Sequence, residues 1–185
     1  LQRRARELAE ATGDLDGLAR LTIIQGACEA MLEDSVTSLA RLDEAVILAR
    51  QTGDPTLLSF ALSSRGWLRG LVGVVSEARH DFQAAEEVAE HHGALWLSAD
   101  AKCGRMLTAT VMGRFDEARA LATDVLTSDL RYGFPIFEEV AIESLAGVAF
   151  LEGRFADAAR GYERAQSMLT KHRLGEGWGW LLPMS

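Results

Sequence analysis

Apolar and small residues recur every three to four positions along nearly the whole chain, which is the period of one face of a helix. Phe155, Ala158, Ala159, Tyr162, Ala165 and Leu169 form one such stripe. Ile136, Val140, Leu145, Val148 and Leu151 form another, with alanines between them. The same spacing predicts helices over about 3–12, 16–32, 36–52, 56–71, 75–92, 95–112, 114–132, 136–152 and 154–172. The β-branched runs at Ile23-Ile24 and Val74-Val75 are short and sit within helical patterns, so no strand is expected.

Glycine punctuates these stripes at a fixed step. Gly13, Gly53, Gly93 and Gly133 stand 40 residues apart, and Gly73, Gly113 and Gly153 keep the same step with an offset of 20. Glycine enters the left-handed conformation that closes a helix without a Cβ clash. Two interleaved series therefore mean two helices and two turns per 40-residue unit, and self-similarity of this length marks a stacked repeat array. One turn departs from the rule, with Glu33-Asp34 where later units have glycine. Asp14 and Asp54 follow closing glycines as N-cap candidates. Pro55 and Pro135 fall where a first-turn proline is harmless.

The expected architecture is all-α, a right-handed α-solenoid of antiparallel helix pairs forming a single repeat domain over 1–185. Its units run over 1–13 (partial), 14–53, 54–93, 94–133, 134–173 and 174–185 (partial). Both partial units, and a first residue Leu1 rather than Met, suggest a piece of a longer protein.

Bulk properties narrow the range of roles. A hydrophobic fraction of 48% and a charged fraction of 25% are ordinary globular values. The net charge of −8 repels phosphate backbones, so direct nucleic-acid contact is not expected. No basic cluster suits an anionic membrane, and no apolar run reaches the ~20 residues a bilayer requires. Cys28 and Cys103 lie far apart on predicted helices, which fits a reducing cytoplasm better than a disulfide framework.

The segments Gly113–Leu121 (GRFDEARAL) and Gly153–Ala165 (GRFADAARGYERA) resemble the core of the tetratricopeptide repeat. Each has a glycine, an aromatic two residues later and a small residue three further on: Gly113, Phe115, Ala118 and Gly153, Phe155, Ala158. The usual unit of that family is about 34 residues. Longer units such as these look like those in large bacterial LuxR-type regulators related to the maltose-regulon activator, as do ARELAEATGD and LDEAVILARQTGDP. The resemblance implies a TPR-like superhelix whose first helices line a concave face. By that family's exposure pattern the groove takes Arg20, Ile23 and Ala27 from one unit, and Phe60, Ser63 and Trp67 from the next. Asp100, Cys103 and Leu107 follow, then Val140, Glu143 and Phe150. The implied role is a non-catalytic interaction or signal-sensing module of a multidomain transcriptional regulator. Its partner would be a protein or peptide segment in the groove, or alternatively a small effector.

Arg65 and Arg105 share one register position on otherwise apolar helices. Buried arginines need acidic partners, and Asp100 and Glu143 are the expected ones, with a carboxylate ligand in the groove as the other use. Gly66, Gly70 and Gly73 lack the spacing and lysine of a phosphate loop, so close helix packing is expected there. His91 and His92 are adjacent and point about 100° apart on a helix, a poor start for a metal site. The carboxylate pairs Glu86-Glu87, Asp116-Glu117 and Glu138-Glu139 fit first turns and polar faces. Ser63, Ser64 and Ser144 lack a positioned base. No catalytic, cofactor-binding or metal-binding residue is expected.

Overall fold

The computed structural model describes residues 2–30, 35–127 and 135–172. Among them the fold is all-α, with nine helices and no strand: α1 (Gln2–Thr12), α2 (Leu15–Ala30), α3 (Ser35–Thr52), α4 (Pro55–Leu71), α5 (Val75–His91), α6 (Leu95–Val111), α7 (Phe115–Thr127), α8 (Pro135–Leu151) and α9 (Phe155–His172). These bounds follow the apolar stripes to within a residue or two where both ends are described. The degenerate turn at Glu33-Asp34, the turn at Gly133 and the partial unit from 174 lie outside the described residues.

The glycine register sets the breaks. Gly13, Gly53, Gly73, Gly93, Gly113 and Gly153 all adopt positive φ, between 67° and 83°. At Gly53 (φ 73°) the chain leaves α3, and Asp54 at once caps α4, its Oδ1 accepting from the Thr56 and Leu57 amides at 2.8 and 3.4 Å. Pro55 occupies the first turn without loss of a hydrogen bond. Asp14 does the same service for α2 by accepting from the Gly17 amide at 2.9 Å.

The chain divides into two compact units, Leu1–Gly104 and Arg105–Ser185, with the boundary inside α6. In the first, α1 packs on α2, α2 on α3 and α4, α3 on α4, and α4 on α5. Its core holds Ala19, Ile23, Ala45, Val46, Ala49, Leu57, Ala61, Leu62, Ala85 and Ala101. In the second, α7 packs on α8 and α8 on α9, with Ala109, Ala118 and Val148 buried against Phe115.

Alanine dominates both cores because small residues let helix axes approach closely. Ser38, Ala78, Ala118 and Ala158 stand 40 residues apart and are all buried. At Ser38 the hydroxyl donates to the Gly26 carbonyl at 2.7 Å, so the one polar member of the series is satisfied. Gly104 and Gly66 make room for the buried Phe82: a Cβ on Gly66 would lie 3.0 Å from its ring, and one on Gly104 would run into it. Helix packing is thus the use of Gly66, as expected. Gly70 has open space around it.

Candidate functional site

In the first unit, Arg20 on α2, Thr56, Leu57 and Phe60 on α4, and Ala94, Leu95, Trp96 and Leu97 at the start of α6 line a surface cleft of about 430 Å3. These helices stand 40 residues apart in the glycine register of the sequence. The walls are largely apolar, and both Phe60 and Leu95 are exposed, Leu95 at 64%. Arg20 is the charged residue of the lining. Its guanidinium approaches Asp54 only to 3.7 Å, and both side chains reach solvent, so the pair is a weak one.

Two of the residues expected in a concave groove, Arg20 and Phe60, therefore meet in this cleft. Ile23 does not reach the surface; it is wholly buried in the core of the first unit. Ser63 is buried too, and its hydroxyl donates to the Asp100 carboxylate. Trp67 is half-buried. Its ring meets Phe82 edge-on at 5.2 Å, and its indole N–H donates to Asp100 Oδ1 at 3.2 Å. Asp100 is accordingly a junction between α4 and α6. Burial pushes its carboxyl above the ordinary value, against the two hydrogen bonds that favour the charged form.

Arg65 finds partners other than the expected Asp100 and Glu143. Arg65 binds Asp81 on α5 through two nitrogens, at 2.9 and 2.6 Å, and Asp43 on α3 at 2.8 Å. Arg69, one turn on, also reaches Asp81, at 2.8 Å. Asp81 is only 4% exposed, and a bidentate guanidinium holds a carboxylate both by charge and by geometry. Burial works against the Arg65 charge, but the bonds to Asp81 and Asp43 outweigh it and raise its pKa. In the second unit Arg105 reaches Glu117 on α7 at 3.5 Å.

The remaining residues of the expected groove lie in the second unit. Leu107 and Glu143 are half-buried. Phe150 is exposed and stacks edge-on with Phe155 at 5.5 Å. A notable feature of this unit was missed in the sequence: Glu139 is 2% exposed. Burial, with the Glu143 charge one turn away, pushes its pKa up to about 7. Burial raises the Glu143 carboxyl as well. Glu138, its neighbour, faces Arg164 at 3.4 Å.

Sequence reasoning also passed over Leu57, Ala94, Leu95 and Leu97 as cleft residues. The signal was the run Ala94-Leu95-Trp96-Leu97 after Gly93, where the earlier units begin Asp14-Leu15-Asp16 and Asp54-Pro55-Thr56. Asp81 and Asp43 were missed because they sit on second helices, whose pairing with first helices depends on packing rather than on chain spacing. Cys28 is exposed and Cys103 buried. Among the described residues no group of three His, Cys, Asp or Glu side chains is placed to hold a metal ion, and no helix is long and apolar enough to cross a membrane. No protein-family model matches the chain, and no curated protein matches it.

Proposed function

We propose that this chain is a non-catalytic interaction module: a right-handed solenoid of antiparallel, tetratricopeptide-like helix pairs that serves a larger bacterial transcriptional regulator in the cytoplasm and holds a protein segment on its first helices. The observation that carries this reading is the apolar cleft built from α2, α4 and the start of α6. Stacked repeats set equivalent helices side by side, and a groove across several of them suits an extended or helical segment. Antiparallel pairing is supported by the short breaks between helices that pack together, such as Val72–Val74 between α4 and α5. The regulator context rests on the resemblance of the repeat phrases.

The competing reading is a small effector in the same cleft, favoured by a volume within the range of about 300–1,000 Å3 typical of small-ligand sites. It gains nothing from Arg65 and Trp67, which are engaged with Asp81, Asp43 and Asp100. Panning a displayed peptide library against the chain tests the module reading, with the exposed Phe60→Asp variant as the counter-screen. Peptides captured by the wild type and lost by Phe60→Asp are the expected result. A library that yields no such peptide overturns it.

A further inference from the structure

The edge of α8 and α9, in the second compact unit, carries two carboxylates that the described fold leaves without a counter-charge. Glu139 is 2% exposed, yet its register equivalents at positions 19, 59 and 99 are Ala, Ser and Ala. Glu143, one turn on, is half-buried. Burial first, and then the Glu143 charge, disfavours the ionised forms of both Glu139 and Tyr162, so Glu143 stands close to each. Among the described residues no cation or hydrogen-bond donor reaches Glu139 or Glu143. Carboxylates buried in this way are costly until something positive meets them.

The repeat register shows what such an edge accepts. On α4, Ser63 and Trp67 both donate to Asp100 of α6, the indole at 3.2 Å. Phe82 of α5 lies where a Cβ on Gly104 of α6 would stand. The equivalents of Ser63, Trp67 and Phe82 on α8 and α9 are Glu143, Gly147 and Tyr162. One donor has become an acceptor and the other a bare glycine, with the Tyr162 hydroxyl 3.6 Å from where its Cβ would be. Leu42, Phe82 and Ala122 are at most 1% exposed, whereas Tyr162, next in the same series, is 42% exposed. The α8–α9 edge thus has the register of a helix seat, open and with its polarity reversed.

We propose that this edge seats a basic helix of a partner protein, with Lys or Arg on Glu143 and Glu139 and a small residue four positions later against Tyr162. The four-residue spacing is that of Asp100 and Gly104 on α6. A cation here answers both carboxylates with charge-assisted hydrogen bonds, and it selects against acidic helices. The small residue lets the helix come close to the Tyr162 ring. This seat lies in the second compact unit and does not rest on the cleft of the first.

The test uses the whole 185-residue chain and fluorescence anisotropy with three labelled helical peptides. The parent carries Lys and, four residues on, Ala, along a face that also bears Leu; its twins replace the Lys by Gln or by Glu. The parent is expected to bind about tenfold tighter than the Gln twin, as one partly buried ion pair allows, and the Glu twin weakest. Glu143→Gln should level the parent and the Gln twin, and Glu143→Lys should favour the Glu twin, with the helical circular dichroism unchanged. Tyr162→Ala should weaken all three peptides. Bound parent should slow hydrogen exchange in α8 and α9. Three peptides that bind alike, or none that binds, overturn the proposal. Protection confined to α2 and α4 overturns it too, because the peptide then sits in the cleft. A wild-type chain that sediments as a dimer beside a monomeric Glu143→Lys chain gives the edge to a second copy, and the partner helix fails.

Discussion

Phe82 shows how single residues decide this fold. Its ring is buried between Gly66 and Gly104 and meets Trp67 edge-on. Gly104→Ala should therefore destabilise the chain by about 1–3 kcal/mol, the usual result of overpacking. Gly70→Ala, on α4 one turn beyond Gly66 but with open space around it, should instead stabilise by up to about 1 kcal/mol through helix propensity. Thermal unfolding of the two variants checks the pair, and a Gly104→Ala chain as stable as the wild type would mean that Phe82 has somewhere else to go. Glu139 is the other decisive residue. Positions 19, 59, 99 and 139 are equivalent, and Ala19, Ser59 and Ala99 are all small; Ala19, Ser59, Ala99 and Glu139 are also all buried. A carboxyl raised to about 7 from an ordinary 4.5 binds its proton more tightly folded than unfolded. Its contribution to stability is full below pH 4.5, falls between 4.5 and about 7, and does not recover above that. Glu139→Gln should thus raise the melting temperature at pH 8 by several degrees and leave it nearly unchanged at pH 4. Equal shifts at both values would deny the buried charge.

At the scale of elements, the helices and their breaks were legible because two independent signals coincide: the 3.6-residue stripe says where a helix runs, and glycine says where it stops. That coincidence can be broken at one position. Gly53→Ala forces an L-residue into φ 73°, which costs about 1–2 kcal/mol, and the loss should appear as a lowered urea midpoint with an unchanged slope. The site was less legible for a physical reason. Which face of a first helix stays open depends on what packs over it, and one chain's spacing does not contain that. Ile23 and Phe60 both read as groove residues, yet Ile23 is enclosed by the core while Phe60 lines the cleft. The pairing of Arg65 with Asp81, 16 residues on, likewise needed the geometry of α4 against α5. Position 25 offers the same contact in weaker form, Gln25 Oε1 accepting from Arg41 at 3.5 Å, so the register carried a hint once one pair was seen.

On the scale of the whole molecule, stability in a repeat array is roughly a sum over units and their neighbours. Ala118 is wholly buried in the second compact unit, and Ala118→Trp cannot be accommodated without moving α7. Hydrogen exchange should quicken across α7, α8 and α9, while amides of α2 to α5 keep their protection. Uniform loss of protection over the entire chain would show a single cooperative block instead of separable units.

The three-residue breaks have a kinetic consequence. Because α4 and α5, or α8 and α9, pack on the helix they have just left, most contacts join residues close together in the chain. Closing short loops loses little entropy, and helical proteins with such local contacts fold in microseconds to milliseconds. A chain built this way gains structure pair by pair, and a nascent pair of helices can bury its alanine seam while the next is still being synthesised. The glycines that end each helix thereby set the pace of folding as well as the shape of the product.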